Sequence, residues 1–186
     1  GSGRASGRET VGRVAAGAIA RKMLSNIGIR ITAYCKYAAG IRCQTIDFDE
    51  IERNVVRAAD PDAAKQIVHK ILEARDRDNS IGGIVECCVQ GVPPGIGDPV
   101  FDKLDEDLAK AILSIGATKG IEFGAGFAAA DMTGREHNDE MSEEGFLSNN
   151  AGGILGGIST GNDIVFRTVF KPTASIATPQ RTVDLD

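Results

Sequence analysis

The 186-residue chain is 42% hydrophobic and 25% charged, a balance that suits one globular domain, or a large piece of one, with a sizeable core. Its net charge of −5 argues against a nucleic-acid binder, and no run reaches the roughly 20 unbroken apolar residues a membrane-spanning helix needs. The first residues lack the basic-then-apolar pattern of a secretory signal, so the expectation is a cytoplasmic protein without membrane contact.

The charge is unevenly spread. Residues 1–24 hold Arg4, Arg8, Arg13, Arg21 and Lys22 against Glu9 alone, a local excess of +4 that leaves −9 elsewhere. Such asymmetry suits a local site for a small anion on an acidic body, with a solvated basic helix face as the competing account. Ser6-Gly7-Arg8-Glu9 reads as a capping box in which Ser6 caps and Glu9 reaches back to it, opening a helix to about Leu24. Val11, Val14, Ala15, Ala18 and Ile19 share one face, and small residues elsewhere predict a helix covered on more than one side.

From Ile27 to Tyr37 apolar and polar residues alternate, which predicts a half-buried antiparallel strand with Arg30, Thr32, Tyr34 and Lys36 on its polar face. A helix over 48–57 follows, then a second from Pro61, capped by Asp60, with Ala64, Ile67, Val68, Ile71 and Leu72 as its buried stripe. Residues 80–92 read as a strand ending in the turn Val92-Pro93-Pro94-Gly95-Ile96-Gly97-Asp98-Pro99. A helix over 100–115 presents Phe101, Leu104, Leu108, Ile112 and Ile115, and Lys119 to Phe127 is a strand. Residues 128–148 are polar and mostly acidic, the composition of a mobile loop, and strands near 153–160, 163–171 and 181–185 follow. Helices and strands occur in blocks, so the fold class is α+β with antiparallel sheet, in a single domain over 1–186.

Two segments suggest anion binding. Arg4, Ser6 and Arg8 surround a helix start, where free N–H groups favour an anion and arginine adds bidentate recognition of phosphate or carboxylate. Lys171-Pro172-Thr173-Ala174-Ser175 places a cation and two hydroxyls at a strand end. Each also has a plain structural account, as a capped helix and as an ordinary turn. Gly152-Gly153-Ile154-Leu155-Gly156-Gly157 has the wrong spacing for a dinucleotide fingerprint and suits close backbone approach. His69 and His137 belong to no nucleophile set, and Cys35, Cys43, Cys87 and Cys88 lack metal-ligand spacing, so reduced thiols and no metal are expected.

Taken in order, these motifs resemble chorismate synthase. The resemblance rests on Gly3 to Ala18, Asp78-Asn79-Ser80-Ile81-Gly82-Gly83, Gly91 to Leu104, Lys119 to Phe127, Asn149 to Ser159, and Lys171 to Ser175. It covers nearly the whole chain. It implies a carbon–oxygen lyase of the shikimate pathway, which serves aromatic amino acid synthesis. That enzyme converts 5-enolpyruvylshikimate 3-phosphate into chorismate by 1,4-anti elimination of phosphate and requires reduced FMN. It also implies a homotetramer whose core helices are sandwiched between antiparallel sheets.

Carried over by motif, the resemblance assigns Arg4, Ala5, Ser6, Gly116, Ala117, Gly156, Lys171, Pro172, Thr173, Ala174 and Ser175 to the flavin site. It turns Arg8 toward the anionic substrate or the flavin phosphate. Gly116 departs from the larger residue often found there. The family's acid–base histidines, several substrate arginines and a late Arg/Asp motif have no counterpart here, so the chain reads as a fragment with no catalytic residue of its own. The competing reading is a non-catalytic module that binds FMN or phosphate, or drives oligomerisation. Whether the parent reduces its flavin with NADPH stays open.

Overall fold

A computed structural model describes residues 3–183. In chain order its elements are α1 (Thr10–Asn26), β1 (Arg30–Ala38), β2 (Ile41–Arg42), α2 (Pro61–Arg75), β3 (Gly83–Gln90), α3 (Leu104–Leu113), β4 (Thr118–Phe123), α4 (Gly134–His137), β5 (Met141–Ser142), β6 (Gly145–Phe146), β7 (Ile154–Leu155), β8 (Ile158–Ser159) and β9 (Ile164–Phe170). Short 3-10 turns lie at Gly3–Ala5, Gly7–Glu9, Phe48–Arg53 and Gly126–Asp131. The main sheet has strand order β2-β1-β3-β9-β4, and β5-β6 and β7-β8 are separate antiparallel hairpins. The fold class is α+β. No helix among the described residues is long and apolar enough to cross a membrane.

Two compact units divide the chain, one of Gly1–Ala33 with Glu86–Val169, the other of Tyr34–Val85 with Phe170–Asp186. In the first, α1 ends in a Schellman motif: Gly28 takes φ +87, Ile29 N–H donates to Leu24 O at 3.1 Å and Gly28 N–H to Ser25 O at 3.2 Å. Ile27 therefore belongs to the helix end, and β1 starts three residues later than its alternation predicts. No residue of α1 is buried, and Val11, Val14, Ile19 and Met23 are each at least 65% exposed, so the expected cover on several sides is not supplied by the described residues.

The core of this unit gathers Cys87, Ile154, Ile164 and Phe166, with Leu104, Leu108 and Ile112 of α3 against them. Phe101 stays exposed, because the helix begins only at Leu104 and the residues before it form a turn. Arg167 braces the half-buried interior. Its Nε donates to Glu122 Oε1 at 2.6 Å, its Nη1 reaches Glu86 Oε2 at 3.3 Å, and its Nη2 donates to Gly124 O. Burial pulls the guanidinium's pKa down, but the two carboxylates more than compensate and leave it raised. The acidic segment after β4 carries α4, opened by a Thr133–Glu136 capping box, and the β5-β6 hairpin. Asp139 ties it to Ser148 Oγ at 2.6 Å, Asn150 N at 2.7 Å and Ala151 N at 2.9 Å.

The second unit packs α2 through Ala63, Ala64 and Ile67 onto Ala38, Cys43 and Ala58. Ile71 and Leu72, expected in the stripe, are each 41% exposed, so only the first half of α2 is covered. Tyr34, read as a polar-face residue, is buried with Ile51 and Ala59, so both faces of this part of β1 are covered. Of residues 48–57 only Phe48–Arg53 are helical, as a 3-10 turn, and Asn54 already takes an extended conformation that ends it. The strand expected near 181–185 is not formed over 181–183, and the remainder lies outside the described residues.

Asp60 is the anchor here. It is 6% exposed and accepts from Gln44 N at 2.8 Å, Thr45 N at 3.2 Å, Asp62 N at 3.0 Å and Ala63 N at 3.1 Å. The bond from Ala63 is the largest influence; together with those from Gln44, Thr45 and Asp62 it outweighs burial and holds the carboxyl near pKa 2.

Two outcomes are expected. The folded state binds the Asp60 proton less tightly than the unfolded chain, so Asp60 contributes stability above about pH 4 that is lost as the pH falls through 2. Chemical denaturation across that range should show the decline, and Asp60→Asn should flatten it while costing roughly 1–2 kcal/mol at neutral pH. Arg167→Leu leaves two partly buried carboxylates without their cation and should cost about 3 kcal/mol. A midpoint equal to the parent's would show that the brace is dispensable.

Candidate functional site

Arg4 and Ala5 lie in the first 3-10 turn and Arg8 in the second, with Ser6 extended between them at φ −78 and ψ 145. Ser6 Oγ accepts from Arg8 N at 3.3 Å, half of a capping arrangement. The other half, expected from Glu9, is absent: Glu9 Oε2 instead accepts from Arg13 Nε at 3.2 Å. A capping box needs both residues on one α-helix, whereas here a 3-10 turn ends at Glu9 and makes Glu9 the cap of α1. The guanidinium groups of Arg4 and Arg8 belong to exposed residues.

Gly116 and Ala117 form the turn between α3 and β4. Ala117 takes φ +69, a left-handed conformation that costs a residue with a Cβ about 1 kcal/mol or more. A Cβ built on Gly116 meets nothing within 4 Å, so the turn is open on that side. Arg13 joins this turn to the first helix. Its Nη1 donates to Ser114 Oγ at 2.9 Å and its Nη2 to Ser114 O at 3.3 Å, across 101 residues of chain. Sequence reasoning placed Arg13 inside a motif and gave it no role. Only its spacing of four from Glu9 was visible. An exposed pair at that spacing is worth about 0.3–0.5 kcal/mol, so its effect is one of orientation more than stability.

Gly156 occupies the turn of the β7-β8 hairpin. Gly156 and Gly157 take φ +59 and +84, the pair of positive values a two-residue type I′ turn requires. The predicted strand over 153–160 is thus a hairpin, and Gly156 sits exposed at its tip. Behind it, buried Ser159 ties the proline-rich turn: its Oγ donates to Pro93 O at 2.6 Å and accepts from Ile96 N at 2.8 Å. At the end of β4, Gly124 at φ +54 approaches Asn150 and Gly152 so closely that a Cβ would collide with their backbone. Ala125 N–H donates to Asn150 O at 2.7 Å. Three segments far apart in sequence, Gly91 to Leu104, Lys119 to Phe127 and Asn149 to Ser159, therefore meet in the first unit.

Lys171 to Ser175 belong to the second unit and are all exposed. Ser80 Oγ donates to Thr173 O at 2.6 Å, so the Asp78-to-Gly83 segment supports this loop, and Lys171 Nζ donates to Pro172 O at 3.3 Å. His69 pairs with Glu73 at 2.9 Å on the surface of α2, and His137 sits in the last turn of α4; neither lies in these segments. Cys88 is no nucleophile, since burial first and Asp163 next push its thiol up to about 12.

A flavin phosphate asks for fixed cations, and its ring asks for open backbone and unfilled hydrogen-bonding groups. The residues present fit that demand. Arg4 and Arg8 supply cations, and Gly116 and Gly156 leave room at their Cβ positions. Beside the turn, Thr118 is 9% exposed and its Oγ1 has no partner among the described residues. A buried hydroxyl left unpaired costs about 1–3 kcal/mol, so the turn holds unused hydrogen-bonding capacity.

A family model described as chorismate synthase matches residues 1–186. Curated relatives named chorismate synthase include one from Methanosarcina mazei, 55% identical over 100% of this chain and 53% of its own length. Another, from Syntrophobacter fumaroxidans, is 52% identical over 99% of this chain and 52% of its own length. A solved structure described as a crystal structure of chorismate synthase aligns at TM-score 0.83 and 34% identity, covering 90% of this chain and 57% of that one. The chain spans about half the length of the curated relatives it matches. By its full-length match, its identity to these relatives and its fold, the chain belongs to the chorismate synthase family.

Proposed function

We propose that this chain forms the flavin-facing part of a carbon–oxygen lyase that converts 5-enolpyruvylshikimate 3-phosphate into chorismate. The reaction is a 1,4-anti elimination in which a C–H bond and the C–O bond to phosphate break, with no net oxidation. Reduced FMN, when bound, supplies electron density as the C–O bond breaks. In this reading Arg4, Ala5, Ser6, Gly116, Ala117, Gly156 and the run Lys171, Pro172, Thr173, Ala174, Ser175 hold and orient the flavin. Arg8 takes the substrate's phosphate or carboxylate in a bidentate grip and offsets charge that grows on the departing phosphate. The observation that carries the reading is the tie of the Arg4-to-Arg8 turns, through Arg13, to the open turn at Gly116 and Ala117.

No residue of this chain is assigned the proton-transfer step, because His69 and His137 lie outside these segments. The isolated chain is therefore an FMN-binding fragment with negligible turnover. The parent works in the cytoplasm as a homotetramer, and NADPH is a candidate reductant for its flavin. The exposed apolar side chains of α1, Val11, Val14 and Ile19, favour assembly as a second role for the chain, since removing large apolar side chains from water is favourable when another protein surface covers them.

Two measurements test this. Titration with FMN should saturate, and Arg4→Ala should weaken binding at least about tenfold, the loss expected for a hydrogen-bonded charge. Sustained chorismate formation by the purified chain, supplied with reduced FMN and substrate, would contradict the fragment reading. Sedimentation should show self-association that Val14→Asp reduces; a monomer at every concentration would remove the assembly role.

A further inference from the structure

We infer that Arg13 is a positioning residue, one that fixes the Gly116–Ala117 turn against the start of α1 and so sets the shape of the candidate flavin site. The inference rests on the flavin reading above and extends it to a residue that touches neither flavin nor substrate in that reading.

Three features carry it. The first is the form of the contact. The guanidinium of Arg13 meets Glu9 through Nε at 3.2 Å, Ser114 Oγ through Nη1 at 2.9 Å and Ser114 O through Nη2 at 3.3 Å. Those contacts use three nitrogens of one planar group, so the Ser114 end is fixed in direction as well as distance. A lysine at this position carries the charge without the fork.

The second is where the contact falls. Ser114 caps the C-terminus of α3, where carbonyl oxygens lack helical partners and a cation is favoured. Its hydroxyl donates to Ala111 O at 2.5 Å, so Arg13 holds an oxygen already oriented by the helix. Two residues later the chain reaches Gly116, with no side chain to wedge it, and then Ala117 in a left-handed conformation. Such a turn is intrinsically adaptable at the glycine and strained at the alanine, and it keeps one geometry when its neighbours hold it. Ser114 is the held neighbour on the N-terminal side.

The third is the position of Arg13 on α1. Glu9, its second partner, directly follows the Gly7–Arg8 step and caps the helix. One guanidinium therefore joins the end of the cation-bearing turns to the end of α3, and loss of it uncouples two segments that must face one ligand.

The test uses the 186-residue chain, FMN as the probe, and the variants Arg13→Ala, Arg13→Lys, Ser114→Ala and Arg21→Ala. Arg21 lies on the same helix, is exposed and is absent from the segments above. Amide hydrogen exchange without flavin reads the turn itself. Arg13→Ala should speed exchange at Gly116–Thr118 by about tenfold and leave β3 unchanged. FMN affinity should fall by about ten- to a hundredfold in Arg13→Ala, less in Arg13→Lys and in Ser114→Ala, and not in Arg21→Ala. A loss confined to FMN affinity with an unchanged thermal midpoint separates positioning from general destabilisation. Unchanged exchange at the turn overturns the clasp even where FMN binds. Faster exchange with unaltered FMN affinity overturns the positioning role. An unsubstituted chain that fails to bind FMN sinks the cofactor reading, and the flavin half of this inference with it, while the exchange data still decide the clasp.

Discussion

Arg167 sets the frame on which the first unit depends. A half-buried guanidinium is costly unless its charge and its donors are matched, and three groups match it: Glu122 on β4, Glu86 on β3 and the carbonyl of Gly124. Those partners belong to β3, β4 and the bend after β4, so satisfying one charge fixes the bend relative to both strands. The second oxygen of Glu122 accepts from Phe127 N at 3.0 Å, which extends the constraint into the next turn. Close approach of backbone at Gly124 then admits Asn150 and Gly152, and the hairpin bearing Gly156 follows from there.

In each unit, taken by itself, the candidate residues lie on turns, and in the first unit those turns sit on a braced interior. Each turn has a different fastening. Ser159 holds the proline-rich turn, Arg13 holds the end of α3, Asp139 holds the asparagine pair, and Ser80 holds the loop after β9 in the second unit. None of these fastenings is a hydrophobic contact. Directional hydrogen bonds suit this task, because they fix where a backbone carbonyl or amide points, whereas apolar packing fixes mainly how close two segments come. A polyanionic ligand is read by direction, and the exposed residues at these turns include the glycines Gly116 and Gly156 and, in the second unit, Lys171, Thr173 and Ser175.

The apolar face of α1 stands apart from this pattern. Its residues have the spacing of a core helix and the exposure of a surface one. Among the described residues, a helix patterned for burial is left uncovered. The free energy of covering such a face comes from apolar area removed from water, so any complementary apolar surface supplies it.

Much was legible in the residues themselves. Asp60 before Pro61 announced the start of α2, because a capping carboxylate and a proline at the first position act through the backbone beside them. The family resemblance was legible for the same reason, being carried by runs of adjacent residues. What escaped were long-range partners: Arg13 with Ser114, Arg167 with Glu86 and Glu122, and Tyr34 with Ile51. Ser6 and Glu9 had the spacing of a capping box, yet the box formed at Thr133 and Glu136, since a 3-10 turn intervened in the first case. Spacing along a chain specifies geometry only where the backbone repeat is regular. The sequence by itself determined the local starts, stops and turns and the family; the tertiary structure alone decided which charged groups meet, because those energies depend on distances across space that residue order does not encode.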